Sequence, residues 1–310
     1  MEKGKIMPVN VGIPRALLFH EFGELWQGFF HNLATPVHLS AETNRQMLDC
    51  GTKLAIDESC LPLKLYLGHV ETLLDNCSHI FVPRIIRYHR DFYLCAKFAG
   101  LPDIVKNTFH LPDTRIIAPD IETNWRVGYY KAIKSVAAIT GKSTLTGEAG
   151  FRKALADWRQ LPAAPAVSPF QAQVAVVGHG YILKDDFLSR EIFATLRRRG
   201  VATVTPDALP IKMIYDEARR FAPDLYWQLS AKLAGATAHF ASRFDIAGII
   251  LVSSFGCGLD SMMNEYLEYH VLRNCGKPYL MINLDEHTGW AGITTRIEAF
   301  WDMVEWRRKK

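Results

Sequence analysis

Cysteine is the residue type in this chain most able to do chemistry, and six of them stand at positions 50, 60, 77, 95, 257 and 275. No local C-x₂₋₄-C pair of the kind that builds a structural zinc site occurs. Irregular spacing in a chain this long is not a disulfide framework either, so a reducing compartment leaves the thiols for metal or redox work. Cys257 lies in Phe255-Gly256-Cys257-Gly258, a thiol between two flexible residues just ahead of a helix expected near Ser261. A helix amino end favours the thiolate, the form that ligates iron. Cys60 precedes Leu61-Pro62-Leu63-Lys64, where an early proline suits a helix start.

Other reactive groups lie close by. Asp285-Glu286-His287-Thr288-Gly289 places His287 beside carboxylates, and Asp57-Glu58-Ser59 places Glu58 just before Cys60. His287 and Glu58 are the candidates for proton handling; a polar loop with an N-cap and a turn glycine is the structural alternative. Arg84, Arg87, His89 and Arg90 precede Cys95, where cations offset the charge of thiolates and sulfides, or simply make an exposed basic loop. Gly178-His179-Gly180-Tyr181 follows a strand and could cradle an anion, although it lacks the full dinucleotide pattern.

The elements that must position these groups alternate strand-length apolar runs with helical stretches, the pattern of parallel-sheet α/β architecture. The spacing predicts strands at 9–13, 36–39, 53–56, 79–82 and 115–118, then at 173–177, 202–205, 247–252 and 278–283. Helices are expected at 16–33, 186–199 and 261–273. The expected fold is two doubly wound, Rossmann-like (flavodoxin-like) domains with mainly parallel sheets and a cluster in the cleft between them. The first covers 1–160, with a helical extension over 129–160; a proline-rich linker at 161–169 leads to the second at 170–310.

In such sheets the loops leaving the strands' carboxyl ends build the ligand site. Cys60 after 53–56, Cys95 after the strand at Phe81, and Cys257 after 249–254 fall on that edge. Cys50, Cys77 and Cys275 precede strands and belong to the opposite edge, where a cysteine is a small hydrophobe. Three thiolates from distant loops can carry a cubane cluster with one iron left open. On spacing alone that reading and the buried-hydrophobe reading stand side by side.

Bulk properties narrow the classes. A chain of 310 residues, 49% hydrophobic, buries two cores without staples. A net charge of +4 with no basic stripe among aromatics argues against nucleic acid. No apolar run spans a bilayer, so a cytoplasmic protein with no membrane association is expected. The terminal Arg307-Arg308-Lys309-Lys310 reads as a solvated tail.

Taken together, Val11-Gly12-Ile13-Pro14-Arg15-Ala16-Leu17, Asp57-Glu58-Ser59-Cys60-Leu61-Pro62, Phe255-Gly256-Cys257-Gly258 and Asp285-Glu286-His287-Thr288-Gly289 resemble one family. It is the activase-related branch, a domain of unknown function, of the 2-hydroxyacyl-CoA dehydratase and benzoyl-CoA reductase superfamily. The resemblance implies a [4Fe-4S] cluster held by Cys60, Cys95 and Cys257 and reduced at low potential by an ATP-dependent activase. It also implies reductive or radical chemistry on a small-molecule or acyl-CoA substrate, and a homodimer. Leu259 stands where the branch has proline, and the length leaves the activase to a separate chain. Two alternatives are a non-catalytic electron or cluster carrier and a double-cubane [8Fe-9S] reductase, which needs twice the thiolates. A zinc or metal-free regulatory protein of the same fold is a third.

Overall fold

A computed structural model describes residues 9–122, 128–160 and 173–310. The chain divides into two compact units: Met1–Asp57 with Leu63–Leu161, and Glu58–Pro62 with Pro162–Lys310. The residues around Cys60 therefore pack with the second unit, although they stand inside the first in sequence. The expected linker at 161–169 lies outside the described residues.

The first unit contains β1 (Val11–Ile13), α1 (Phe19–Asn32), β2 (Val37–Leu39), α2 (Arg45–Leu54), α3 (Leu61–Glu71, counted here from Leu63), β3 (His79–Phe81) and β4 (Arg84–Arg87). After these come α4 (Ala96–Thr108), β5 (Ile116–Ile117), β6 (Asp120–Glu122), α5 (Gly128–Ile139) and α6 (Thr144–Arg159). Four strands form a parallel sheet in the order β2-β1-β3-β5, and β4 pairs with β6 in a separate parallel ribbon. α1 covers one face of the large sheet, with Trp26 and Phe30 edge-on to Phe81 at 5.3 and 5.2 Å between ring centroids. On the other side of that helix Phe29 meets Phe151 of α6. Burying aromatic rings in this way supplies much of the unit's core.

The predicted strand at 53–56 is absent. Those residues end α2, whose buried Met47, Leu48 and Gly51 follow helical spacing, and whose start is capped by Asn44 accepting from the Met47 N–H at 3.0 Å. A short apolar run is ambiguous between strand and buried helix, and here helical packing wins. α2 crosses α3 at almost no distance. A Cβ on Gly51 would lie 1.8 Å from the Lys64 carbonyl oxygen, and one on Gly68 would lie 2.0 Å from that of Met47. Cys50 accordingly sits in a helix and not ahead of a strand.

The second unit contains β7 (Gln173–Gly178), α7 (Gly180–Leu183), α8 (Asp186–Arg198), β8 (Ala202–Val204), α9 (Ile211–Phe221) and α10 (Gln228–Ser242). Then follow β9 (Ile246–Ser254), α11 (Gly258–Leu267), β10 (Tyr279–Leu284) and α12 (Trp290–Arg308). Its strands are all parallel, in the order β10-β9-β7-β8. Alternation along β9 divides the core between two faces. Ile249 and Leu251 join Leu233 and Phe240 of α10 and Met263 and Leu267 of α11, while Gly248 meets Phe300 and Val304 of α12. The sheet is therefore doubly wound, as the sequence pattern predicts, and no described helix is long and apolar enough to cross a membrane.

Candidate functional site

In a parallel sheet ordered β10-β9-β7-β8 the chain turns outward from β7 to β8, then returns across it to β9. The topological switch point is the crevice at the carboxyl ends of β7 and β9, where doubly wound domains bind ligands. His179 leaves β7 there. Ser254, Cys257 and Asp260 leave β9 there.

Cys257 is the N-cap of α11, and its Sγ accepts the Asp260 N–H at 3.4 Å. The preceding Gly256 has φ +76°, a left-handed conformation that favours glycine. A Cβ there would lie 2.9 Å from the Ser59 carbonyl oxygen and 3.0 Å from the Cys60 Cα. The Leu61 N–H donates to the Phe255 carbonyl at 3.3 Å, so the Cys60 segment is fastened to the Cys257 loop through backbone. Burial pushes the Cys257 thiol up to about 12, helped by the charges of Asp260 and Cys60, while the Asp260 N–H pulls the other way. Without a cation the sulfur remains a thiol; a positive partner is what makes it a thiolate.

Asp260 is the joint of the site. Its Oδ1 lies 2.5 Å from His179 Nε2, its Oδ2 accepts the Ser254 N–H at 3.3 Å, and the exposures are 2% for Asp260 and 6% for His179. Burial raises this carboxyl, but the charge and hydrogen bond of His179, with the bonds from Ser254 and Cys257, outweigh it and hold it below the usual carboxylate range. The hydroxyl of neighbouring Ser254 is buried with no hydrogen-bond partner among the described residues.

His287 is exposed, in a turn where Asp285 Oδ1 accepts the His287 N–H at 2.9 Å and the Thr288 hydroxyl at 2.8 Å. Glu58 is exposed beside buried Ser59. Cys95 is in the first unit as the N-cap of α4, between β4 and that helix, with the Phe98 N–H on its carbonyl. Its neighbours are partly structural: Arg84 pairs with Asp103 and Asp120, and the Arg87 guanidinium lies over the Tyr93 ring at 4.7 Å. Cys77 is buried against Gly12, and half-buried Cys275 donates to the Leu272 carbonyl at 3.2 Å.

All six cysteines are thiols. No group of three or more His, Cys, Asp or Glu side chains arranged for a metal ion occurs among the described residues. The donor chemistry at the switch point nevertheless fits a thiolate-bound group in part: Cys257 with an N–H directed at its sulfur, Cys60 fastened beside it, and an orphaned hydroxyl next door. Sequence reasoning missed Asp260 and assigned His179 to an anion cradle. The usable signal was Asp260 in the first turn of the helix after Cys257, opposite a histidine leaving the adjacent central strand.

No curated protein matches the chain. Residues 10–209 match a family model, more than half of the chain and including Cys60 and Cys95 but not Cys257. The chain belongs to the family described as the CoA enzyme activase uncharacterised domain, which fits the activase-related branch of the 2-hydroxyacyl-CoA dehydratase superfamily.

Proposed function

We propose that the chain is an iron–sulfur protein in which Cys60, Cys257 and Cys95 hold a [4Fe-4S] cluster. It accepts low-potential electrons from an ATP-dependent activase, for reductive chemistry on a small-molecule or acyl-CoA substrate. The observation that carries this reading is the fastening of the Cys60 segment to the Cys257 loop, across almost two hundred residues of sequence, at the ligand edge of the second unit. Family membership adds the activase relationship. Cys95 enters as the third ligand on the sequence argument.

A cluster bound there would supply reversible one-electron transfer, with potential tuned by hydrogen bonds to sulfur and by burial. The protein's own part is to present the sulfurs. The Asp260 N–H points at Cys257 Sγ, and Gly256 brings the Cys60 backbone into contact without a side chain between. Exposed His287 and Glu58 exchange protons with solvent in this reading.

The test is iron and acid-labile sulfide in anaerobically prepared protein, wild type and Cys60→Ala, Cys95→Ala and Cys257→Ala. About four of each per chain, falling in every variant, is the expected result. About eight iron per chain would favour the double-cubane alternative. Zinc without sulfide, or a colourless preparation, refutes the reading. An EPR spectrum of the reduced protein that ignores every candidate thioester would favour the carrier role.

A further inference from the structure

The switch-point crevice of the second unit, where a doubly wound domain would take a phosphate or nucleotide, is occupied by the chain's own side chains. Gly178-His179-Gly180 has the look of an anion cradle, yet what faces the imidazole is the Asp260 carboxylate at 2.5 Å. We propose that His179 is a positioning residue for Cys257, acting through Asp260. The inference rests on Cys257 being the working thiol of the site.

Asp260 is fastened from three directions. His179, leaving β7, holds Oδ1; the Ser254 N–H, at the end of β9, holds Oδ2; and its own N–H reaches Cys257 Sγ. The imidazole is itself set by its position as the N-cap of α7 and by its ring contact with Tyr181 at 5.1 Å between centroids. A carboxylate at 2% exposure is costly to leave unpaired. Removing the imidazole forces Asp260 to admit water or swing out. Either movement disturbs the first turn of α11 and withdraws the N–H from sulfur. The chain of contacts is contiguous, and its last member is the thiol.

The test uses metal-free protein, so it does not depend on a cluster. The rate of iodoacetamide alkylation at Cys257 is read by peptide mass spectrometry in wild type, His179→Ala and His179→Gln, with Cys275 of the same unit as the internal reference. The glutamine keeps an N–H donor for Asp260. In His179→Ala the Cys257 rate should rise about tenfold, because opening the first turn of α11 gives the reagent access to a half-buried sulfur and outweighs the lost N–H, with Cys275 unchanged. His179→Gln should restore most of the protection. An unchanged Cys257 rate in folded His179→Ala overturns the proposal, and so does a parallel rise at Cys275, which would mark general loosening. Should the alanine variant not fold, Asp260→Asn decides: it keeps the backbone N–H but weakens the pair, and it must raise the Cys257 rate alone. Wild type without iron would defeat the cluster reading and leave this result standing.

Discussion

His69, wholly buried in α3, offers the sharpest test of the electrostatics of the first unit. Its Nδ1 lies 2.8 Å from Ser40 Oγ and its Nε2 3.0 Å from Thr43 Oγ1. Ser40 Oγ also accepts the Arg15 N–H at 2.8 Å, and with a hydroxyl facing each ring nitrogen the neutral imidazole is satisfied in either tautomer. Burial, reinforced by the neighbouring His20 and Arg15 charges, lowers its pKa from 6.5 to about 4. A base that binds its proton more weakly when folded contributes stability that is whole above about pH 6.5 and is lost as pH falls towards 4. At about 1.4 kcal/mol per pKa unit the loss is on the order of 3 kcal/mol. Hydrogen exchange of α3 amides between pH 7 and pH 4, converted to local opening free energies, reads it directly. In His69→Gln, which cannot titrate, the slope across this window should flatten while carboxylate titration below it persists. Parallel wild-type and variant curves would refute the buried neutral imidazole.

Two glycine substitutions probe the backbone contacts. Gly51→Ala sets a methyl 1.8 Å from the Lys64 carbonyl, so α2 and α3 must separate; a fall of about 3 kcal/mol or more is expected in urea unfolding, and a neutral result would contradict the crossing. Gly256→Ala combines φ +76° with backbone at 2.9 Å. It should cost about 1–3 kcal/mol and speed alkylation of Cys60, which wild-type behaviour in both measurements would exclude.

The fold of the second unit is legible because its central strands β7 and β9 are long, apolar and buried, with helices of clear period between the strands. Val174 to Val177 and Ile249 to Val252 are at most 1% exposed, which leaves little choice of element. In the first unit the strands are three residues or fewer in the main sheet, and 53–56 carried the same apolar look at the end of a helix. Placing Cys60 on the ligand edge by counting from that strand therefore rested on a wrong premise. What brings Cys60 to the Cys257 loop is Gly256, whose missing side chain lets two distant backbones touch. Asp260 was illegible for a related reason. A carboxylate in the first turn of a helix ordinarily serves the helix dipole, and only the three-dimensional return of β7 beside β9 gives it a histidine.

The two switch points differ in what they offer a ligand. In the first unit, ordered β2-β1-β3-β5, the crevice at the ends of β1 and β3 is a small pocket walled by Ile13, Pro14, Leu17, Trp26, Phe81 and Pro83. Such a surface has apolar contact to offer and almost nothing for a phosphate. In the second unit the corresponding crevice holds a thiol, a buried carboxylate, an imidazole and an orphaned hydroxyl. Burying that polar set costs stability that an apolar filling of the same crevice would not have cost. The cost is paired with a thiol that burial raises to about 12, an environment suited to a partner that brings positive charge. On the proposed reading, Cys257 and the groups that orient it are where that charge is held.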